Sequence, residues 1–124
     1  MSDYLTISEV LAMHADLIDR YGGQHGLRDP GILEAALFRP QTGYYPDLIA
    51  EAAALWESLS QGHPFIDGNK RVAFAAACVF LRINGKTIVA DADAVHLFLD
   101  DLYARSAIRF EALDHWLRAN TVDD

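Results

Sequence analysis

The ten residues Val72 to Leu81 are apolar without interruption. Wound as a helix, they leave no polar face, and such a helix belongs where other elements surround it. The run is well short of the ~20 residues that a bilayer span requires, so protein rather than lipid must cover it. The chain has 124 residues, the length of one domain, and residues 1–124 are expected to form one. A domain of that size buries about two thirds of the surface its unfolded chain exposes. With 52% hydrophobic and 23% charged residues, the composition is that of an ordered globular protein.

Helical punctuation recurs on both sides of this run. Thr6-Ile7-Ser8-Glu9 reads as a capping box, followed by Val10, Leu11, His14, Leu17, Ile18 and Tyr21 on one face, with Gly22-Gly23 as the stop. Asp29-Pro30 opens a second helix carrying Ile32, Leu33, Ala36 and Leu37, with Asp as N-cap and Pro in the first helical position. Arg39 to Pro46 reads as a loop. A third helix is expected from about Asp47 to Ser60, ended by Gly62. The fourth, apolar one runs from near Gly68 to Asn84-Gly85. Thr87–Val89 could be extended. Asp91 or Asp93 caps a fifth helix through about Tyr103, and a sixth carries Phe110, Leu113, Trp116 and Leu117. No alternating strand pattern persists. The expected fold is all-α, about six helices around the apolar one.

The chemistry concentrates in Gly62-His63-Pro64-Phe65-Ile66-Asp67-Gly68-Asn69-Lys70-Arg71, a loop that enters the apolar helix. A helix N-terminus carries partial positive charge and unpaired N–H groups, and favours Asp or Glu in its first turn. Here Lys70 and Arg71 stand there instead. An anion between them removes the conflict. Backbone amides, Gly68 with no side chain, the Asn69 amide and two cations together describe a phosphate site. Asp67 is then an anion beside a phosphate, which a divalent cation such as Mg²⁺ reconciles. Imidazole, with an ordinary pKa of about 6.5, suits a general base at neutral pH, and His63 stands at the other end of the loop. Phosphates, a metal carboxylate and a base suggest transfer from a nucleotide to a hydroxyl. The P-loop pattern is absent, because Asn69 separates Gly68 from Lys70 and a helix precedes the loop. A purely structural account is also open. In it Gly62 is a C-cap, Asp67 an N-cap, His63 a loop histidine, and Lys70 and Arg71 solvated.

Charge narrows the partners. A formal net charge of −8 excludes a broad basic footprint for nucleic acid, and Lys70 and Lys86 are the only lysines. No basic-then-apolar leader opens the chain, and the single cysteine, Cys78, fits a reducing cytoplasm. Cys78 reads as a small buried hydrophobe, Trp56 and Trp116 as core, His96 and His115 as surface. His14 reads as a hydrogen-bonded, partly buried histidine, with a supporting role near His63 as the alternative.

His63 to Arg71 resembles the signature of the Fic/Doc (Fido) superfamily, His-x-Phe-x-Asp/Glu-Gly/Ala-Asn followed by Gly-Arg or, in the Doc (death-on-curing) branch, Lys-Arg. This chain has Lys-Arg. Tyr21-Gly22-Gly23, Leu27-Arg28-Asp29-Pro30-Gly31, Asn84-Gly85 and the length resemble Doc as well, so the likeness covers nearly the whole chain. It implies a Fido fold and a toxin of a toxin–antitoxin pair. The implied activity is that of an ATP-dependent kinase that phosphorylates elongation factor Tu. His63 would be catalytic, Asp67 would hold Mg²⁺, and Gly68, Asn69, Lys70 and Arg71 would form the phosphate-binding turn, with Lys70 also acting in catalysis. Fic enzymes, which transfer AMP, have glycine at Lys70 and a second arginine at Phe74. Those departures imply a nucleotide bound in reverse, presenting its γ-phosphate to His63. AMP transfer and a non-enzymatic binding protein are the competing functions. The self-inhibitory Ser/Thr-x-x-x-Glu-Gly/Asn motif is missing, since no Glu precedes Gly or Asn. Control from outside is implied, by a Phd-type antitoxin whose C-terminal segment enters a groove. The loop from Arg39 to Pro46, with Tyr44 and Tyr45, is either the family's target-positioning flap or a plain loop.

Overall fold

A computed structural model describes residues 2–124; Met1, part of the expected 1–124 domain, lies outside them. Six α-helices follow in order: α1 (Ile7–Tyr21), α2 (Pro30–Phe38), α3 (Leu48–Gly62), α4 (Asn69–Ile83), α5 (Ala92–Ala104) and α6 (Phe110–Asn120). A 3-10 turn spans Arg39–Thr42, and two short strands, β1 (Lys86–Ile88) and β2 (Thr121–Asp123), pair antiparallel with Thr87 opposite Val122. The fold is all-α, six helices with one short two-stranded sheet.

The helix starts follow the sequence. Glu9 N donates to Thr6 Oγ1 at 3.2 Å while Thr6 N donates to Glu9 Oε1 at 2.8 Å, completing the capping box. Asp29, Asp47 and Asp91 each accept the backbone N–H three residues on, those of Ile32, Ala50 and Ala94. Each satisfies one of the amides a helix start leaves orphaned.

The most enclosed helix is α3, where every residue from Ile49 to Trp56 is buried. Four of those residues are alanines, and small side chains let α2, α4 and α6 approach closely. The one charged member, Glu51, accepts the Tyr4 hydroxyl at 2.6 Å. The apolar α4 packs against α3, α1 and β1 but is not covered all round. Phe74 and Cys78 are half-buried, and Val79 is 37% exposed. Its apolar character serves two purposes, since one flank packs and the other walls a cleft facing α5.

Three other expectations shift. The Arg39–Pro46 loop begins with the 3-10 turn, and Arg39 fastens it to α3. Its Nε donates to Tyr45 Oη at 2.6 Å, and Nη1 to Glu57 Oε1 at 2.8 Å and Ser58 Oγ at 2.9 Å. Gly62 does not break α3 but ends it from within. A Cβ there would come within 2.6 Å of Ile32 Cγ2, so the glycine permits close packing of α2. The extended segment starts one residue earlier than expected and pairs with β2, which three residues of sequence gave no means to foresee. Both ends of the described chain meet beside it. Asp3 N donates to Asn84 Oδ1 at 2.8 Å, Asn84 Nδ2 donates back to Asp3 O at 2.8 Å, and Asp124 N donates to Gly85 O at 2.9 Å. Among the described residues no helix is long and apolar enough to cross a membrane.

Candidate functional site

Residues 63–68 connect α3 to α4, and hydrogen bonds hold this loop on several sides. The backbone amides of Arg28 and Asp29 donate to Pro64 O at 2.7 and 3.0 Å, and Ile66 N donates to Gly26 O at 3.0 Å. The Arg28 guanidinium donates to His63 O at 2.7 Å and to Gly62 O at 2.9 Å, carbonyls that the end of α3 leaves unpaired. His63 itself caps α3 in the left-handed region, φ 51°, and its exposed ring faces the cleft.

Asn69 is a clamp. Its side chain is 7% exposed, donates to Phe65 O at 2.9 Å and accepts from Phe65 N at 3.0 Å. Expected as an amide ligand for phosphate, it instead spends both side-chain groups on shaping the loop. The reason is geometric: from the first turn of α4 the side chain folds back under the loop rather than out toward solvent. His14 supports the same loop from α1. Its ring stacks on Phe65, centroids 3.7 Å apart, and Nε2 lies 2.7 Å from Asp67 O. A carbonyl only accepts, so Nε2 carries the hydrogen. The hydrogen-bonded, buried histidine is therefore the observed state, and the group it supports is Asp67.

The Asp67 carboxylate is exposed. Oδ2 accepts Gln24 N at 3.0 Å and Oδ1 accepts Gly68 N at 2.8 Å. These two amides, Gln24's first, hold its carboxyl below the usual carboxylate range, with Arg71 and His14 adding smaller attractions. Being depressed, it stabilises the fold at pH above the unfolded carboxyl's pKa and loses that effect as pH falls through the folded value. Asp67 is not the N-cap of α4. Gly68 is, at φ 76°, and it supplies no side-chain acceptor to the first-turn amides.

His63, Asp67, Gly68, Asn69, Lys70 and Arg71 all line one cleft of about 1100 Å³. Its far wall is apolar, with Phe74 and Cys78 from α4 and Val95 and Leu99 from α5. His96, read as surface, is exposed at its margin. None of the ion pairs among the described residues includes Lys70 or Arg71. Lys70 Nζ sits over the Tyr103 ring, 4.2 Å from its centroid, and Arg71 Nη1 donates to Gly22 O at 3.0 Å with its guanidinium 5.5 Å from the Tyr21 ring centroid. Around the loop the site thus presents an uncapped helix start, two cations without carboxylate partners, the exposed Asp67 carboxylate and the exposed His63 imidazole, with Asp100 and His96 farther along the cleft. That set can bind an anionic phosphate chain beside a hydroxyl acceptor.

Sequence reasoning missed Gln24, which acts through its backbone and so leaves no signal, and Tyr103, which sits far along the chain. Arg28 did leave one, inside Leu27-Arg28-Asp29-Pro30-Gly31. Burial pushes the Cys78 thiol up to about 11, against an ordinary thiol near 9.0. At pH 8 a thiol reagent is expected to label Cys78 about a hundredfold more slowly than an open cysteine; labelling at the open rate would contradict this placement.

Comparison with known proteins bears on the same residues. The sequence profile described as the Fic/DOC family matches residues 4–81. A protein named Toxin Doc from Mycolicibacterium smegmatis is 46% identical over 98 residues, 75% of this chain and 73% of that protein. One named Protein kinase doc from Escherichia phage P1 is 38% identical over 86 residues, 66% of this chain and 68% of that protein.

Proposed function

This chain belongs to the Fic/DOC family, and from that premise we propose that it is the toxin of a toxin–antitoxin pair. In this proposal it is a cytoplasmic, Mg-ATP-dependent protein kinase of the Doc type. It transfers the γ-phosphate to a Thr or Ser hydroxyl of elongation factor Tu and arrests translation. A Phd-type antitoxin, its C-terminal segment in a groove, restrains it. The observation that carries the reading is the joint placement of His63, Asp67, Lys70 and Arg71 around the uncapped start of α4 in one cleft.

The residues divide the work by chemistry. Lys70, Arg71 and the first-turn amides of α4 bind the phosphate chain. The Asn69 side chain keeps the loop in shape while its backbone joins that turn. Asp67 fits a divalent cation, because each oxygen has accepted one N–H and keeps a lone pair, and the carboxyl is held ionised. Mg²⁺ bound there supplies charge compensation for the phosphate oxygens. His63 takes the proton of the acceptor hydroxyl. The hydroxyl oxygen then bonds to the γ-phosphorus as the bond from that phosphorus to the β,γ-bridging oxygen breaks, releasing ADP. Phe74 packs on Trp56, ring centroids 5.2 Å apart, so the place where Fic enzymes carry a second arginine is committed to the cleft wall. That, with Lys70 for glycine, supports γ- over α-phosphate transfer.

The test uses purified protein, Mg²⁺ and elongation factor Tu, with ATP labelled on either the α- or the γ-phosphate. Label on the factor from γ only is the expected result. Label from α means AMP transfer, and label from neither overturns the kinase reading.

A further inference from the structure

We propose that Tyr103 is a positioning residue for Lys70, its ring face presetting the ammonium for phosphate without neutralising it. The proposal rests on the nucleotide-binding reading above and adds a residue from α5 to it.

Lys70 stands in the first turn of α4 beside Arg71, where the helix end and the neighbouring guanidinium both repel it. A flexible four-carbon stem in that position would scatter over many rotamers. A carboxylate partner would hold it, but would cancel the charge that phosphate requires. Asp100 lies on the same cleft, three residues before Tyr103 on α5, and Lys70 does not pair with it. The ammonium rests over the Tyr103 ring instead. A ring face attracts the ammonium from one side and, unlike a carboxylate, carries no charge to cancel it. The ammonium is thus localised with its charge kept for the cleft.

The ring is itself held. Tyr103 Oη and the buried Ser60 Oγ are 2.7 Å apart, tying α5 to the last turn of α3. This tie matters because α5 is shallowly packed: of its thirteen residues only Leu102 is buried. Burial raises the Tyr103 phenol, so it stays neutral and adds no anion of its own beside Lys70. Ser60, Tyr103 and Lys70 therefore form a chain of contacts from the core to the phosphate end of the cleft. Preorganisation of this kind acts by removing an ordering cost that binding would otherwise carry.

The experiment is a double-mutant cycle on the binding of a non-hydrolysable ATP analogue with Mg²⁺, measured by titration calorimetry. Tyr103→Leu is expected to weaken binding about fivefold, the size of a modest cation–π contact, and Tyr103→Phe, which keeps the ring and gives up only the Ser60 tie, to weaken it less than Tyr103→Leu. In a Lys70→Met background Tyr103→Leu should change nothing further. An equal loss in that background would make Tyr103 merely structural and overturn the proposal, as would no loss in the wild-type background. With only two lysines, ¹³C-lysine NMR provides an independent arm. The Lys70 ε-methylene should lie upfield of that of Lys86 in the free protein, remain so with the analogue bound, and lose the shift in Tyr103→Leu. An unshifted Lys70 in the free protein, or one released on binding, overturns the proposal and leaves the nucleotide reading standing. No binding to wild type overturns that reading and the proposal with it.

Discussion

His63→Ala is expected to lower phosphoryl transfer by about a thousandfold, the middle of the range for loss of a general base, and to abolish growth arrest in cells. The loop should survive the change, because what fastens it at this residue is backbone: Arg28 donates to the His63 carbonyl, not to its ring. One structural effect must be separated out. His63 sits at φ 51°, a conformation that alanine adopts reluctantly and asparagine readily. His63→Asn is therefore the cleaner variant, equally inert as a base and at ease in that backbone. His63→Asn should melt close to wild type and His63→Ala somewhat below it, and both should fail to transfer label. If either retained transfer, His63 would not be the base, and toxicity that outlived the loss of transfer would mean that the fold acts by binding.

Asn69→Ala carries the largest expected effect on stability, about 3 kcal/mol, because it strands the buried N–H and C=O of Phe65 together. For a domain of this size that corresponds to a fall in Tm of roughly 10 °C. The two assignments of Asn69 separate here. A phosphate ligand at the surface would lower nucleotide affinity and leave melting alone. A clamp lowers melting first and affinity through the loop. Differential scanning calorimetry of the variant decides, and a Tm within about 2 °C of wild type would contradict the clamp.

Much of the helical order was legible, for a local reason: capping and helix periodicity act over three or four residues. Thr6 with Glu9 and Asp29 with Pro30 do what their spacing predicts, and of the two candidates Asp91 and Asp93 it is Asp91 that caps the fifth helix. The candidate site stretch stood out too, because a cation pair at a helix start conflicts with local electrostatics and so points beyond the helix. What escaped depends on distance along the chain. Nothing near Gln24 says that its amide reaches a carboxylate forty-three residues later, and nothing near Tyr103 says that a lysine lies over its ring. The burial of α3 above α4 escaped for another reason. Hydropathy reports what a side chain prefers, whereas the alanines of α3 matter through size, by letting three helices close in on it. Gly62 shows the same confusion: the absence of a side chain was read as freedom for the backbone, and the structure uses it as room for Ile32.

The clasp of both chain ends on Asn84 and Gly85 has a topological consequence. Fifteen residues of α4 separate it from the loop of residues 63–68, about 22 Å along a helix axis. The backbone is thus nearly a closed ring, fastened at one pole and carrying the loop of residues 63–68 at the other. Whatever is appended at either end, whether a tag, a second domain or a tethered regulator, starts from the fastened pole. To reach residues 63–71 it must travel the length of α4, whereas the far end of the cleft, lined by Ile88, already lies beside β2.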